Sequence, residues 1–183
     1  RKAKRMSDRV EVRKTYKLFV GGAFPRSESG RTYEVNDANG EFLANAAKAS
    51  RKDGRDAVIA ARKSFGAWNT ATAYNRGQVL YRIAEIMEGR RDQFIADVQA
   101  AEGAGDKKAP RIVDAAIDRW VWYAGWTDKL AAVLGGANPV AGPYFDFSTP
   151  EPTGVVAVLA PQQSSLLGLV SVLAPVLATG NTA

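Results

Sequence analysis

Gln162, Gln163, Ser164 and Ser165 form a short polar run between two apolar segments, Val155–Leu159 and Leu166–Thr179. The first segment is short, β-branched and uninterrupted, the pattern of a strand covered on both faces. The second is long enough for a helix, with Pro175 near its end and Gly180 placed as its C′ residue. A strand, a tight polar loop and a helix in that order define one kind of chemistry. Ligands of open α/β sheets bind beyond the carboxyl ends of the strands, and the following helix N-terminus offers unpaired N–H groups and a positive dipole end to a pyrophosphate. The run is therefore a candidate anion or nucleotide site. It also reads as a plain helix cap with solvated glutamines, and spacing alone favours that reading.

Other chemistries are excluded by residue types the chain does not have. It contains no cysteine and no histidine. Thiolate nucleophiles, disulfides, Cys/His zinc sites and Ser-His-Asp triads are thus excluded within these 183 residues, and no metal site is expected. The formal net charge is +6. Residues 1–17 alone hold eight basic and two acidic side chains, so the whole excess resides there, all but Lys17 of it in an N-terminal arm taken as residues 1–15. Such arms can touch phosphates or acidic membranes. No aromatic residues interleave with these charges to stack on bases, and neither nucleic-acid nor membrane binding is expected. The basic start is not followed by an apolar h-region, which argues against a secretory signal. The apolar stretches Gly154–Pro161 and Leu166–Ala178 fall short of the roughly 20 residues that span a bilayer. The absence of cysteine is compatible with a cytoplasmic location, which is the expectation adopted.

The elements that must position the loop can be read from periodicity. Lys17–Val20 and Ala23–Phe24 flank Gly21-Gly22, a pair that tolerates the positive φ angles of a tight hairpin. Thr32–Val35 and Phe42–Ala46 flank Asn39-Gly40 in the same way. Ser50, with Asp53 three residues on, predicts a helix N-terminus. Val58, Ala61, Phe65 and Trp68 then draw one apolar stripe. Val79, Leu80, Ile83, Ile86 and Met87 draw a second, ended near Gly89. Phe94, Ile95 and Val98 draw a third, ended by Gly103. After a loop over Gly103–Ala109, Pro110 suits the first position of a long helix. Its stripe is Val113, Ala116, Ile117, Trp120, Tyr123, Ala124 and Leu130, with Gly135-Gly136 and Pro139 as the stop. The aromatics on this helix read as core and not as a ligand box. Tyr144–Ser148 reads as a strand and Thr149–Pro152 as a Pro-interrupted connection.

Taken in order, several of these segments resemble the aldehyde dehydrogenase superfamily. Tyr16–Phe24 is similar to its opening hairpin, and "AVIAARKSFGAW" (Ala57–Trp68) to its first helix. "RGQVLYRIAEIMEGRR" (Arg76–Arg91) is similar to the next helix, and "DRWVWYAGWTDKL" (Asp118–Leu130) carries the characteristic Tyr-Ala-Gly-Trp. The strongest likeness is "EPTGVVAVLAPQQSSLLGLVSVLAPVLATGNT" (Glu151–Thr182), which follows the family pattern "EPxGVVgxIxPWNxPLxxxxxxxxPALaaGNt" nearly position by position.

The resemblance implies an α/β fold: N-terminal β-hairpins and helices lead into the first strands of a Rossmann-like cofactor sheet. Residues 16–183 would be an incomplete N-terminal cofactor-binding domain, truncated within the strand that begins after "GNT". It implies NAD or NADP as cofactor and a small-molecule aldehyde as substrate of the complete enzyme. It also implies a homo-oligomer built through a strand near residues 144–152. Leu159, Ala160, Pro161 and Gln162 occupy the positions whose backbone lies against the nicotinamide ribose and pyrophosphate side of the cofactor. The family's Pro-Trp-Asn places an asparagine whose amide helps hold the developing oxyanion, a donor typically worth about 3–4 kcal/mol. The triplet in this chain is Pro161-Gln162-Gln163, so Gln163 stands at the asparagine position. A glutamine can donate the same hydrogen bond, but its extra methylene moves the donor by roughly 1 Å, a shift that catalytic geometry rarely tolerates. The nucleophilic cysteine and general-base glutamate of the family lie downstream of Thr182. The chain alone is therefore expected to be inactive. The two glutamines leave a second reading, a noncatalytic dehydrogenase-like partner subunit.

Overall fold

A computed structural model of the chain describes residues 13–183. The basic arm expected over residues 1–15 thus lies almost wholly outside the described residues. Gly21 and Gly22 both take positive φ, 59° and 78°, and form the expected tight turn. Val20 and Ala23 exchange two backbone hydrogen bonds across it, of 3.0 and 3.1 Å. One further bond, Leu18 N to Pro25 O at 3.1 Å, follows that bridge, and the regular strand at this end is β1, Thr15–Tyr16. Strands β2 (Thr32–Asn36) and β3 (Phe42–Ala47) form the second hairpin, paired antiparallel from Thr32↔Ala47 to Asn36↔Phe42. Asp37 organises its turn by accepting from the N–H groups of Asn39 and Glu41 at 2.8 and 2.9 Å. β1 lies parallel to β3, an arrangement not foreseen from the sequence, so the sheet order is β1-β3-β2.

Helix α1 (Arg51–Thr70) begins with the expected cap. The Ser50 hydroxyl accepts from Asp53 N while the Asp53 carboxylate accepts from Ser50 N, a reciprocal capping box. The same carboxylate takes the Ser27 hydroxyl at 2.7 Å and Glu28 N at 3.1 Å, which ties the helix to the leader. These donors, the Ser50 N–H first, pull the Asp53 pKa from the usual 3.8 to about 2. The apolar stripe expected to bury α1 does not do so. Val58 is 49% exposed, and no residue of α1 is fully buried. The helix has no layer of its own to pack on and meets the rest through single contacts. Trp68 Nε1 donates to the Leu177 carbonyl at 3.1 Å, and Ala61 O accepts from Thr182 Oγ1 at 3.0 Å.

The core lies among α2 (Ala73–Glu88), α3 (Arg91–Glu102), α4 (Lys108–Ala124) and α6 (Leu167–Ala178), with α4 central and packed on the other three. Leu80 and Val113 are its largest fully enclosed side chains. Trp120 is buried among them, as core packing of the α4 aromatics predicts. The buried face of α2 is Gly77, Leu80, Ala84 and Met87, while Val79 and Ile86 point outward. Two expected boundaries on α4 are corrected. It starts at Lys108, so Pro110 is its third residue, where the missing N–H still costs no intrahelical bond. It also ends at Ala124, because the chain turns at Gly125–Thr127, and Leu130 opens a separate short helix, α5 (Leu130–Leu134). Gly135 caps α5, and Gly136 enters a strand, β4 (Gly136–Asn138), that the sequence did not suggest. β4 pairs antiparallel with β5 (Asp146–Ser148), the inner part of the strand expected at Tyr144–Ser148.

The strand expected over Val155–Leu159 is reduced to one parallel bridge, Val155↔Thr182. Val156 N donates to Thr182 O at 2.8 Å, and Thr182 N to Gly154 O at 3.0 Å. Among the described residues, no further backbone pairing extends this bridge toward Leu159. The arrangement is nonetheless α/β. Two parallel extended segments with α6 as their crossover are the minimal unit of a parallel sheet. No described helix is long and apolar enough to cross a membrane.

Candidate functional site

The polar run sits at the bend between Val155 and α6, in the position its sequence order predicts. Leu159 is 94% exposed, and Ala160, Pro161, Gln162 and Gln163 are all exposed. Among the described residues, no hydrogen bond engages the backbone N–H of Leu159, Ala160, Gln162 or Gln163. The bend presents free backbone polar groups outward, and the Gln162 and Gln163 side chains project into solvent beside them.

Three contacts fix the base of the bend. Pro161 packs on Gly168 so closely that a Cβ there would come within 3.1 Å of its Cγ and 3.0 Å of Ser164 Cβ. Ser164 caps the helix start, since its hydroxyl accepts from Gly168 N at 3.0 Å and its carbonyl accepts from the same N–H at 3.1 Å. Glu102, the last residue of α3, accepts from both the N–H and the hydroxyl of Ser165 on one oxygen, each at 2.7 Å. A protein carboxylate therefore already stands at the N-terminus of α6, where the dipole favours negative charge. A pyrophosphate placed on that helix end, as strand-loop-helix order suggests, would meet Glu102. The free backbone lies on the preceding residues.

The far end of α6 is equally well tied. Asn181 is buried, accepts from Gly154 N at 2.8 Å, and donates from Nδ2 to Thr179 Oγ1 at 2.9 Å. Gly180 takes φ 84° as the C′ residue, as read from the sequence. Sequence reasoning missed Glu102 and Asn181 as positioning groups. Asn181 stands out in the sequence only within the "GNT" pattern, and Glu102 bonds a residue 63 positions away. A cleft of about 880 Å³ lies elsewhere, lined by Phe65, Arg76, Asp128, Glu151 and Asn181 among others. Burial lowers the pKa of the Arg76 guanidinium, whose Nη1 donates to Ala71 O and Asn69 O. No group of three or more potential metal ligands occurs among the described residues.

Exposed bend, crossover helix and parallel bridge together define the opening of a Rossmann-like α/β protein. Comparison with known proteins narrows that class. The aldehyde dehydrogenase family matches residues 24–183. Human retinal dehydrogenase 2 is 34% identical over 179 residues, covering 94% of this chain and 34% of that protein. The cytosolic aldehyde dehydrogenase 1 of Elephantulus edwardii is 32% identical over 173 residues, covering 91% and 34%. Among solved structures, an aldehyde dehydrogenase from Bacillus cereus superposes with a TM-score of 0.86 at 28% identity, covering 92% of this chain and 34% of that one. The betaine aldehyde dehydrogenase of Staphylococcus aureus in complex with NAD+ shares the fold, with a TM-score of 0.84 at 24% identity, covering 90% and 33%. The chain belongs to the aldehyde dehydrogenase family, and it spans about a third of the length of the relatives it matches.

Proposed function

We propose that this chain is the cofactor-side segment of an NAD(P)-dependent aldehyde dehydrogenase that oxidises an aldehyde to a carboxylic acid. The observation that carries the reading is the bend itself. Leu159, Ala160, Pro161 and Gln162, which the family resemblance puts at the cofactor positions, are exposed, and the N–H groups of Leu159, Ala160 and Gln162 are free of internal partners among the described residues. That donor and acceptor set fits a nucleotide's ribose and phosphate edge. When bound, NAD(P)+ would supply the hydride acceptor. The chain's own residues orient it: Pro161 on Gly168 sets the height of the bend, and Ser164 fixes its exit into α6. Gln163 would offer its amide to the oxyanion that develops on the aldehyde oxygen. The thiolate nucleophile must come from outside these 183 residues, which contain no cysteine.

The domain reading follows the same lines. Residues 16–183 form the front of the cofactor-binding domain, preceded by the basic arm. The 144–152 segment serves oligomerisation of a cytoplasmic homo-oligomer. Its support is the exposure of Tyr144, Phe145 and Phe147, with the two phenylalanine rings stacked at 6.0 Å along β5.

Titrating the full-length protein with NAD+ and NADP+, with and without Gln163→Asn, tests the proposal. Saturable cofactor binding and aldehyde-dependent reduction are expected, with turnover rising about tenfold or more in the variant as the donor is drawn back. Cofactor binding without turnover in either form favours the noncatalytic partner reading suggested by Gln162 and Gln163. Absence of cofactor binding would overturn both.

A further inference from the structure

We infer that Glu102 is a positioning residue for the cofactor bend, acting through Ser165. The inference rests on the reading of Leu159–Gln162 as the cofactor backbone. Glu102 lies outside the bend, on a different helix, and nothing in the opening strand-loop-helix pattern assigns it a part.

The geometry is specific. One carboxylate oxygen receives two donors from one residue, the N–H and the hydroxyl of Ser165, both at 2.7 Å. Charge-assisted bonds of this length are about twice as strong as neutral ones. The end of α3 that carries Glu102 is itself held. Gly103 closes the helix in the left-handed conformation, its N–H bonded to Gln99 O at 3.0 Å, and Ala38 N from the β2–β3 turn donates to Ala100 O at 3.2 Å. A fixed carboxylate thus clamps the residue two positions after Gln163, while the Ser164 cap on Gly168 N holds the residue between them. Without the clamp, the first residues before α6 keep the Ser164 cap, the Pro161 contact and a long backbone bond from Ser164 N to Pro161 O at 3.4 Å. The bend could then rotate about them, and the backbone groups of Leu159–Gln162 would lose their common orientation. The negative charge has a second consequence. It keeps phosphate off the α6 terminus, so that the cofactor meets the bend and not the helix end.

Full-length protein with Glu102→Ala, Glu102→Gln or Ser165→Ala tests this role, read by thermal unfolding, by NAD+ titration and by amide hydrogen exchange without cofactor. In Glu102→Ala, exchange at the Ser164–Gly168 amides is expected to speed up about tenfold and the Kd for NAD+ to rise about tenfold, with aldehyde KM unchanged. Glu102→Gln, which keeps an acceptor, should fall between. Adding Ser165→Ala to Glu102→Ala should add little, because the two act on one contact. If Glu102→Ala and Glu102→Gln bind NAD+ as tightly as the parent, the positioning role is wrong, whatever happens to stability. If the alanine variant does not fold, Glu102→Gln and Ser165→Ala answer the question in its place. A parent protein that does not bind NAD+ sinks the cofactor reading itself, and with it this one.

Discussion

Gly168→Ala separates the seating of the bend from the stability of the helix beneath it. The added Cβ would lie 3.0 Å from Ser164 Cβ and 3.1 and 3.2 Å from Pro161 Cγ and Cβ, where ordinary contact begins at 3.4 Å. Relief requires both Ser164 and the proline ring to move by a few tenths of an ångström. Overfilling of this kind costs about 1–3 kcal/mol. Replacing a helical glycine by alanine returns about 1 kcal/mol. The net loss is then about 0–2 kcal/mol, small for folding. The displacement falls on Pro161 and so on the backbone of Gln162 beside it. Urea unfolding of the full-length variant should therefore stay within about 2 kcal/mol of the parent, while NAD+ affinity falls about tenfold. Pro161→Ala in the same background removes Cγ and should recover part of the affinity. A Gly168→Ala protein with parental affinity, or with a large stability loss and unaltered affinity per folded molecule, would refute the argument that the Pro161–Gly168 contact sets the bend.

Packing and charge set three further outcomes. Leu80→Ala, at a site with 0% exposure, should cost about 2–5 kcal/mol in urea unfolding, whereas Val79→Ala next to it should stay within about 0.5 kcal/mol. Equal effects would mean that the buried face of α2 is misassigned. Asp53 is held at about 2 against 3.8 ordinarily, so its folded pKa is depressed. Its contribution is complete above pH about 4 and is lost as pH falls toward about 2. Asp53→Asn should flatten the urea midpoint against pH in that window and nowhere above it. Asn181→Ala should cost about 1–3 kcal/mol in the same unfolding assay by leaving Gly154 N without its acceptor, and Asn181→Asp should cost no less at neutral pH, because it keeps the acceptor but loses the donor to Thr179 Oγ1 and buries a carboxylate.

Local chemistry was the legible part of this sequence. The N-cap at Ser50 with Asp53 in the first turn, the Gly21-Gly22 turn, the Gly180 helix end and the core position of Trp120 each depend on residues within a few positions or on a helical period, and all are present. The elements that differ from expectation depend on partners far along the chain. The α1 stripe has helical spacing but little to pack against, so periodicity alone could not show that Val58 stays half exposed. Val155–Leu159 has strand composition, yet a strand exists only through its neighbours, and one bridge to Thr182 is what this chain offers. β4 was invisible because Gly136-Ala137-Asn138 has no strand propensity, and its pairing is set by β5. The bend at Leu159–Gln163 lies where its strand-loop-helix order puts it, whereas Glu102 and Asn181 act across 63 and 27 positions.

The orientation of the bend is decided by the helical core and not by a sheet. A parallel strand in a full sheet is held along its length by ladder bonds on both sides. In this chain the ladder is a single pair, and side chains take over the task. Asn181 joins the two extended segments through Gly154 N, Thr182 anchors its own strand to Ala61 on α1, and Trp68 reaches the carbonyl of Leu177. Val170, Ala174 and Ala178 seat α6 on the core. With both ends of α6 fixed in this way, the direction in which Leu159–Gln162 faces is determined before any further strand is added. The facing of the bend thus follows from side-chain contacts at the two ends of α6 and from the core beneath it.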